Sequence, residues 1–63
     1  MSWEELHNYR GRLLEISTLH NPPQLMTVSV VSPGELTVQA QVAGGRADYR
    51  ITRDAFVRAV LVQ

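Results

Sequence analysis

The sequence predicts one small α+β domain over residues 1–63, in which two helices pack on one face of a three-stranded antiparallel meander in the order α-β-β-β-α. Three observations predict this fold class. Apolar residues recur at helical spacing near the N-terminus, and they alternate with polar residues in two central segments. Two adjacent glycines also stand where a hairpin needs a tight turn.

The first helix is predicted to begin at Ser2, because Ser2 and Glu5 have the spacing of a capping box. At about 100° per residue the apolar side chains fall on one arc of the helix. This arc holds Trp3, Leu6, Tyr9, Leu13, Leu14 and Ile16. Gly11 lies on the polar arc and costs the helix about 1 kcal/mol relative to Ala. The helix must end before Pro22, which restricts Asn21 to extended conformations.

Two half-buried strands follow, since the apolar period changes to two in the segments LMTVSVV and LTVQAQV. The turn SPGE joins them. A two-residue loop on its proline and glycine would pair Val28 with Gln39 and mix the two faces. We therefore expect a three-residue or bulged connection, which puts Val28 opposite Val38 or Ala40.

The third strand is predicted from the segment QVAGGRADYRI, which reads as a hairpin. A type I′ turn on Gly44 and Gly45 uses the positive φ that glycine adopts without strain. In this register every apolar residue meets an apolar residue, and the pairs are Val42 with Ala47, Ala40 with Tyr49, and Val38 with Ile51.

The second helix is predicted to start after Thr52, a suitable N-cap, with Asp54 in the first turn where a negative charge favours the helix dipole. Its valines leave an alternative open, in which AFVRAVLV forms a fourth strand. Residues 56–62 are too apolar in either form for one copy of so small a domain to cover them all.

Composition excludes several classes of function. Six arginines and six acidic residues give a formal net charge of zero, which disfavours nucleic-acid binding and attraction to a membrane surface. The chain has no cysteine, no apolar run of about 20 residues and no signal-peptide pattern, so we expect a cytoplasmic protein. No nucleophile has a base at catalytic spacing, and His7 and His20 have no second metal ligand nearby. We therefore expect no enzyme activity, no cofactor and no metal.

Two surfaces are candidates for binding a partner. The first is apolar and consists of Trp3, Val57, Val60, Leu61 and Val62, which either bind a protein or simply fill the core. The second could bind phosphate or a carboxylate, and consists of Arg46, Arg50, Arg53 and Arg58. Alternatively, these arginines form part of a solvated surface on which Asp48 and Asp54 neutralise their charge.

The predicted α-β-β-β-α order resembles the double-stranded-RNA-binding domain, whose second helix grips phosphates with a lysine-rich run. The matching place here is TRDAFVRA, in which Arg53 alone corresponds to that run. The segment GGRADYRITRDAF is similar to the hairpin-to-helix part of small phage head-to-tail joining proteins, with no specific residue to carry over. We assign the chain to neither family.

The resulting hypothesis is a non-enzymatic protein-interaction module that forms a homodimer. One alternative is a nucleic-acid-binding module that uses the arginine group. Another is an inhibitor or adaptor that docks a larger protein by a sheet edge or by its polar sheet face.

Overall fold

Five antiparallel strands and one short helix make up residues 1–62, the part of the chain that the computed structural model describes. The predicted α-β-β-β-α fold is therefore wrong, since no α-helix is present within these residues and no helix pair packs on a sheet face. The elements are a 3₁₀ helix (Glu4–Tyr9), β1 (Leu13–Thr18), β2 (Gln24–Val31), β3 (Glu35–Val42), β4 (Gly45–Thr52) and β5 (Phe56–Leu61).

A short 3₁₀ helix replaces the predicted first α-helix, and it begins at Glu4 with Trp3 as its N-cap. The Ser2 amide donates a hydrogen bond to Oε1 of Glu5 at 3.0 Å. The helix stops because Gly11 adopts a φ of +80°, the left-handed conformation in which helices commonly end. Beyond it, the buried residues Leu14 and Ile16 are two positions apart, which is the period of a strand. Residues 13–18 form a strand instead, because there they pair with both β2 and β5.

The connection between β2 and β3 confirms the predicted bulge. Val28 lies opposite Val38, and the register shifts between Val28 and Val30. The extra residue restores the match of apolar faces on either side of the SPGE turn. It also bends β2, since a bulge increases the local twist of a strand.

The hairpin between β3 and β4 has the predicted faces but not the predicted register. Its two-residue loop is Ala43 and Gly44, because Val42 pairs with Gly45. Ala43 does not have a positive φ, whereas Gly44 has a φ of +93°, so the turn is not type I′. The slip of two residues keeps each side chain on its face, and the apolar pairs are Ala40 with Ala47, Val38 with Tyr49, and Leu36 with Ile51.

The predicted second helix is also wrong, and the strand alternative for this segment is right. The Thr52 carbonyl accepts a hydrogen bond from the Ala55 amide at 3.0 Å, which closes a tight turn where an N-cap was predicted. After the turn, β5 pairs along β1, with Ala59 opposite Ile16. The β-branched residues of the segment favour this outcome, because a half-buried strand suits them better than a helix does.

The order of the strands forces the sheet to coil. The order is β4-β3-β2-β1-β5, so the edge strands β4 and β5 are consecutive in the chain and joined by residues 53–55 alone. In a flat sheet their axes would be about 19 Å apart. The four peptide units from Thr52 to Phe56 span at most about 14 Å. The two halves of the sheet therefore fold over one another, and the core lies between them.

Trp3 closes one end of this core. Its side chain is 5% exposed, its ring meets the ring of Phe56 edge to face at 5.4 Å, and its indole nitrogen donates to the Ser32 carbonyl at 3.2 Å. The Arg53 guanidinium lies 5.9 Å from the centre of the Trp3 ring. The 3₁₀ helix is thereby tied to both the β2–β3 turn and the β4–β5 turn.

We expect Gly11→Ala to lower the free energy of unfolding by about 1 kcal/mol, because Ala disfavours the left-handed conformation. A Cβ at this position meets no atom within 4 Å, so the effect comes from the backbone alone. Urea unfolding followed by circular dichroism measures it. Gly34→Ala is the matched control: this glycine is equally open but has no positive φ, and the variant should be as stable as the wild type or slightly more stable. Equal losses in both variants would contradict the explanation.

Candidate protein-interaction surface

Exposed apolar side chains collect on the outer face of β1, β2 and β5, away from the core. Glu15 lies at the centre, paired with Leu25 on one side and Val60 on the other. Leu13 lies in the next row, and its carbonyl accepts a hydrogen bond from the Val62 amide at 3.2 Å. Leu25 is 51% exposed, Leu13 43% and Val60 40%, while Val62 is half-buried. The outer apolar face is defined here as Leu13, Leu25, Val60 and Val62.

The other half of the sheet has a polar outer face. The outward residues of β3 and β4 are amides, hydroxyls and charged groups. They are Glu35, Thr37, Gln39, Gln41, Arg46, Asp48, Arg50 and Thr52. This half follows the usual pattern of an antiparallel sheet with one solvated face. The contrast singles out the β1, β2 and β5 half as an unusual surface.

The apolar residues predicted to bind a partner are divided by the structure. Val60 and Val62 lie on the outer apolar face, and Val57 is exposed at the irregularity where β5 leaves the register of β1. Leu61 is half-buried opposite Leu14 and packs against the core, and Trp3 is part of the core itself.

Leu13 and Leu25 were not identified as surface residues from the sequence. The helical wheel places Leu13 on the apolar arc. The signal for an exposed Leu13 is the strand pattern of LLEIST, in which Leu13 and Glu15 alternate with the buried residues Leu14 and Ile16. Leu25 directly precedes the alternating residues of β2.

The free edges of the sheet are less suited to binding than this face. On β5, the Ala59 carbonyl accepts a hydrogen bond from the Met1 nitrogen at 2.8 Å, so the N-terminal segment covers part of that edge. On β4, the exposed residues Arg46, Asp48 and Arg50 give the edge the charges that commonly prevent strand addition.

The four arginines of the predicted anion site do not form one group. Arg46 and Arg50 flank Asp48 on the outer face of β4, and Arg50 lies 3.9 Å from a carboxylate oxygen of Glu35. Arg53 lies roughly 23 Å from Arg46 along the chain, at about 3.3 Å per strand residue, and it forms an ion pair with Glu4. Arg58 is on β5, the other edge strand.

A cleft of about 390 Å³ opens between the β1–β2 connector and β4. Met26 and Ile51 form its apolar floor, and its rim includes His20, Gln24 and Tyr49. Among the described residues, no carboxylate lines the cleft and no three His, Cys, Asp or Glu residues are grouped so as to hold a metal ion. The cleft therefore presents no carboxylate to orient His20 as a general base.

Comparisons with known proteins found no counterpart: no family model matches the chain, and no curated protein or solved structure is significantly similar to it. The topological resemblance to the double-stranded-RNA-binding domain rested on the α-β-β-β-α order and is overturned with it. Within residues 1–62, no helix is long and apolar enough to cross a membrane.

The Glu4–Arg53 ion pair predicts how stability depends on pH. The hydrogen bond from Arg53 lowers the pKa of the Glu4 carboxyl in the folded protein. The ion pair therefore stabilises the fold at pH values above the unfolded-state pKa of Glu4. This contribution is lost as the pH falls through the lowered folded-state pKa of Glu4. We expect the wild type to have a higher Tm than Glu4→Gln at neutral pH, and the two to converge once the pH falls below the lowered folded-state pKa of Glu4.

Thermal unfolding by circular dichroism at several pH values tests this expectation. In an Arg53→Met background, Glu4→Gln should leave Tm unchanged at neutral pH, because the ion pair is already absent. A difference between wild type and Glu4→Gln that is the same at every pH would contradict the assignment.

Proposed function

We propose that this protein is a small non-enzymatic interaction module that associates with a second copy of itself through the outer apolar face. The observation that carries the proposal is the grouping of Leu13, Leu25, Val60 and Val62 on one solvent-facing surface of a sheet whose other half is polar outside. Contiguous exposed apolar patches commonly mark sites of protein association.

The small size of the domain supports self-association. A chain of 63 residues buries only about 60% of the surface that its unfolded form exposes. It has no cysteine, so no disulfide can supplement the core. Covering the outer apolar face in a dimer removes further apolar area from water, and each copy contributes the same patch, as in an isologous two-fold interface.

The other two functions considered from the sequence have less support. Nucleic-acid binding depends on a joined basic surface, whereas Arg46, Arg50, Arg53 and Arg58 are dispersed and two of them lie near carboxylates. An inhibitor or adaptor that docks by strand addition needs a free edge, and the edges of β4 and β5 are respectively charged and partly covered.

Val60→Glu tests the proposal, because it places a charge in the outer apolar face without touching the core. We expect the variant to be monomeric at concentrations where the wild type is dimeric, as measured by sedimentation velocity from micromolar to several hundred micromolar protein. The reason is that a dimer would have to desolvate the new carboxylates.

Val30→Glu is the matched control. Val30 is also an exposed strand valine, 55% exposed against 40% for Val60, and it lies on the outer side of β2 opposite Thr37, at the far end of the strand from Leu25. This variant should dimerise as the wild type does, and circular dichroism should show both variants folded. A wild type that is monomeric at every concentration, or equal dissociation of both variants, would overturn the proposal.

A further inference from the structure

Glu15 occupies the middle of the outer apolar face. It is exposed, and its cross-strand neighbours are Leu25 on β2 and Val60 on β5. A carboxylate in this position keeps the face soluble while it is open to water. Once a partner covers the face, the same carboxylate loses its hydration.

Desolvating an unpaired carboxylate costs several kcal/mol, which would oppose the gain from burying the surrounding leucines and valines. A partner that binds this face must therefore bring a cation to Glu15. Arginine suits this role best, because its guanidinium is weakly hydrated and binds carboxylates with two hydrogen bonds.

Arg58 is the cation that this chain places on the same face. It lies opposite Ser17, two residues from Val60 on β5, which makes it a diagonal neighbour of Glu15. Both residues are exposed, and within residues 1–62 neither takes part in an ion pair of 4.0 Å or less. The face thus carries one acid and one base, which makes it complementary to a copy of itself.

A two-fold axis between β1 and β5, parallel to both strands, lays β1 of each copy over β5 of the other. Leu13 then faces Val62 of the second copy, and Glu15 faces Val60 of the second copy, with Arg58 of that copy about 7 Å further along the same side of β5. Packed sheets lie about 10 Å apart, a gap that a glutamate and an arginine side chain can bridge from opposite sides.

From this juxtaposition we infer that the partner is recognised by reciprocal ion pairs, with Glu15 of each copy bound to Arg58 of the other. The inference rests on the proposed self-association and adds its selectivity: the face accepts a partner that presents an arginine opposite Glu15 and a carboxylate opposite Arg58. An apolar partner without these charges is rejected.

Charge reversal with mixing tests the inference. We expect Glu15→Arg alone and Arg58→Glu alone each to raise the dimer dissociation constant at least about 30-fold, because each leaves like charges opposed. An equimolar mixture of the two variants should form a heterodimer within about tenfold of the wild-type affinity, since every pair is then Arg with Glu. Sedimentation velocity with one variant fluorescently labelled separates the heterodimer from either homodimer.

Two controls match the change in net charge outside the face. Glu35→Arg and Arg46→Glu alter the half-buried Glu35 on β3 and the exposed Arg46 on β4, and both should leave the dissociation constant unchanged. Circular dichroism should show all four variants folded.

The outcomes separate this inference from the proposed function. If Val60→Glu abolishes the dimer while Glu15→Arg and Arg58→Glu do not, self-association holds and the reciprocal ion pairs are wrong. If the single variants dissociate but their mixture does not associate, the pairing is also wrong. A monomeric wild type overturns both.

Discussion

The three-residue connection between β4 and β5 is the constraint on which the rest of the structure depends. These strands are at opposite edges of the sheet. Because four antiparallel pairings separate them, β4 and β5 run in the same direction. A flat sheet would place Thr52 and Phe56 at opposite ends as well as opposite edges. The short connection is possible only because the sheet coils until its halves face one another, and the bulge in β2 contributes the bend. Hydrogen bonds from the Arg53 amide to Gly34 and from the Leu19 amide to Ala55 hold the connection in place.

Coiling gives each strand an inner side that is shared by the whole domain and an outer side that belongs to one half. Inner side chains from all five strands, with Trp3 and Leu6 from the N-terminal segment, make up one core. The outer sides are independent of the core, so their composition is not dictated by folding. The outer sides of β3 and β4 are polar, whereas the outer sides of β1, β2 and β5 carry leucine and valine. Because folding does not require apolar residues there, this difference points to a role in binding.

The central part of the fold could be predicted from the sequence, because its signals are local. Alternation identified β2, β3 and β4, and the mismatch of faces across SPGE identified the bulge opposite Val38. The hairpin register was missed by two residues, since a slip of two preserves every face and only the backbone angles of Ala43 and Gly44 decide between the registers.

The two ends of the chain could not be predicted in the same way, because their conformation depends on a partner distant in sequence. Residues 13–18 and 56–61 pair with each other across 38 to 47 residues of sequence, and the pattern of each segment leaves a helix open. In the first segment the wide apolar arc of the helical wheel includes both Leu14 and Ile16, although residues two positions apart share a face only in a strand. Gly11 reads as a weak helix residue in the sequence, whereas its left-handed conformation ends the helix. The outer apolar face was hidden by the same error, because a helical wheel places Leu13 on the buried arc.

The position of Glu15 would restrict which surfaces bind the outer apolar face, whereas an uninterrupted apolar patch would have no such restriction. Three exposed apolar side chains and the half-buried Val62 on an antiparallel sheet would associate with any apolar surface, including sheets of misfolded chains. A carboxylate at their centre imposes a desolvation penalty on every such contact, and only a partner with a correctly placed cation offsets it. In the proposed dimer, the apolar residues provide the free energy of association, while the charged residues decide which association occurs. We propose that a second copy of the chain meets this requirement, because Arg58 lies diagonal to Glu15 on the same face.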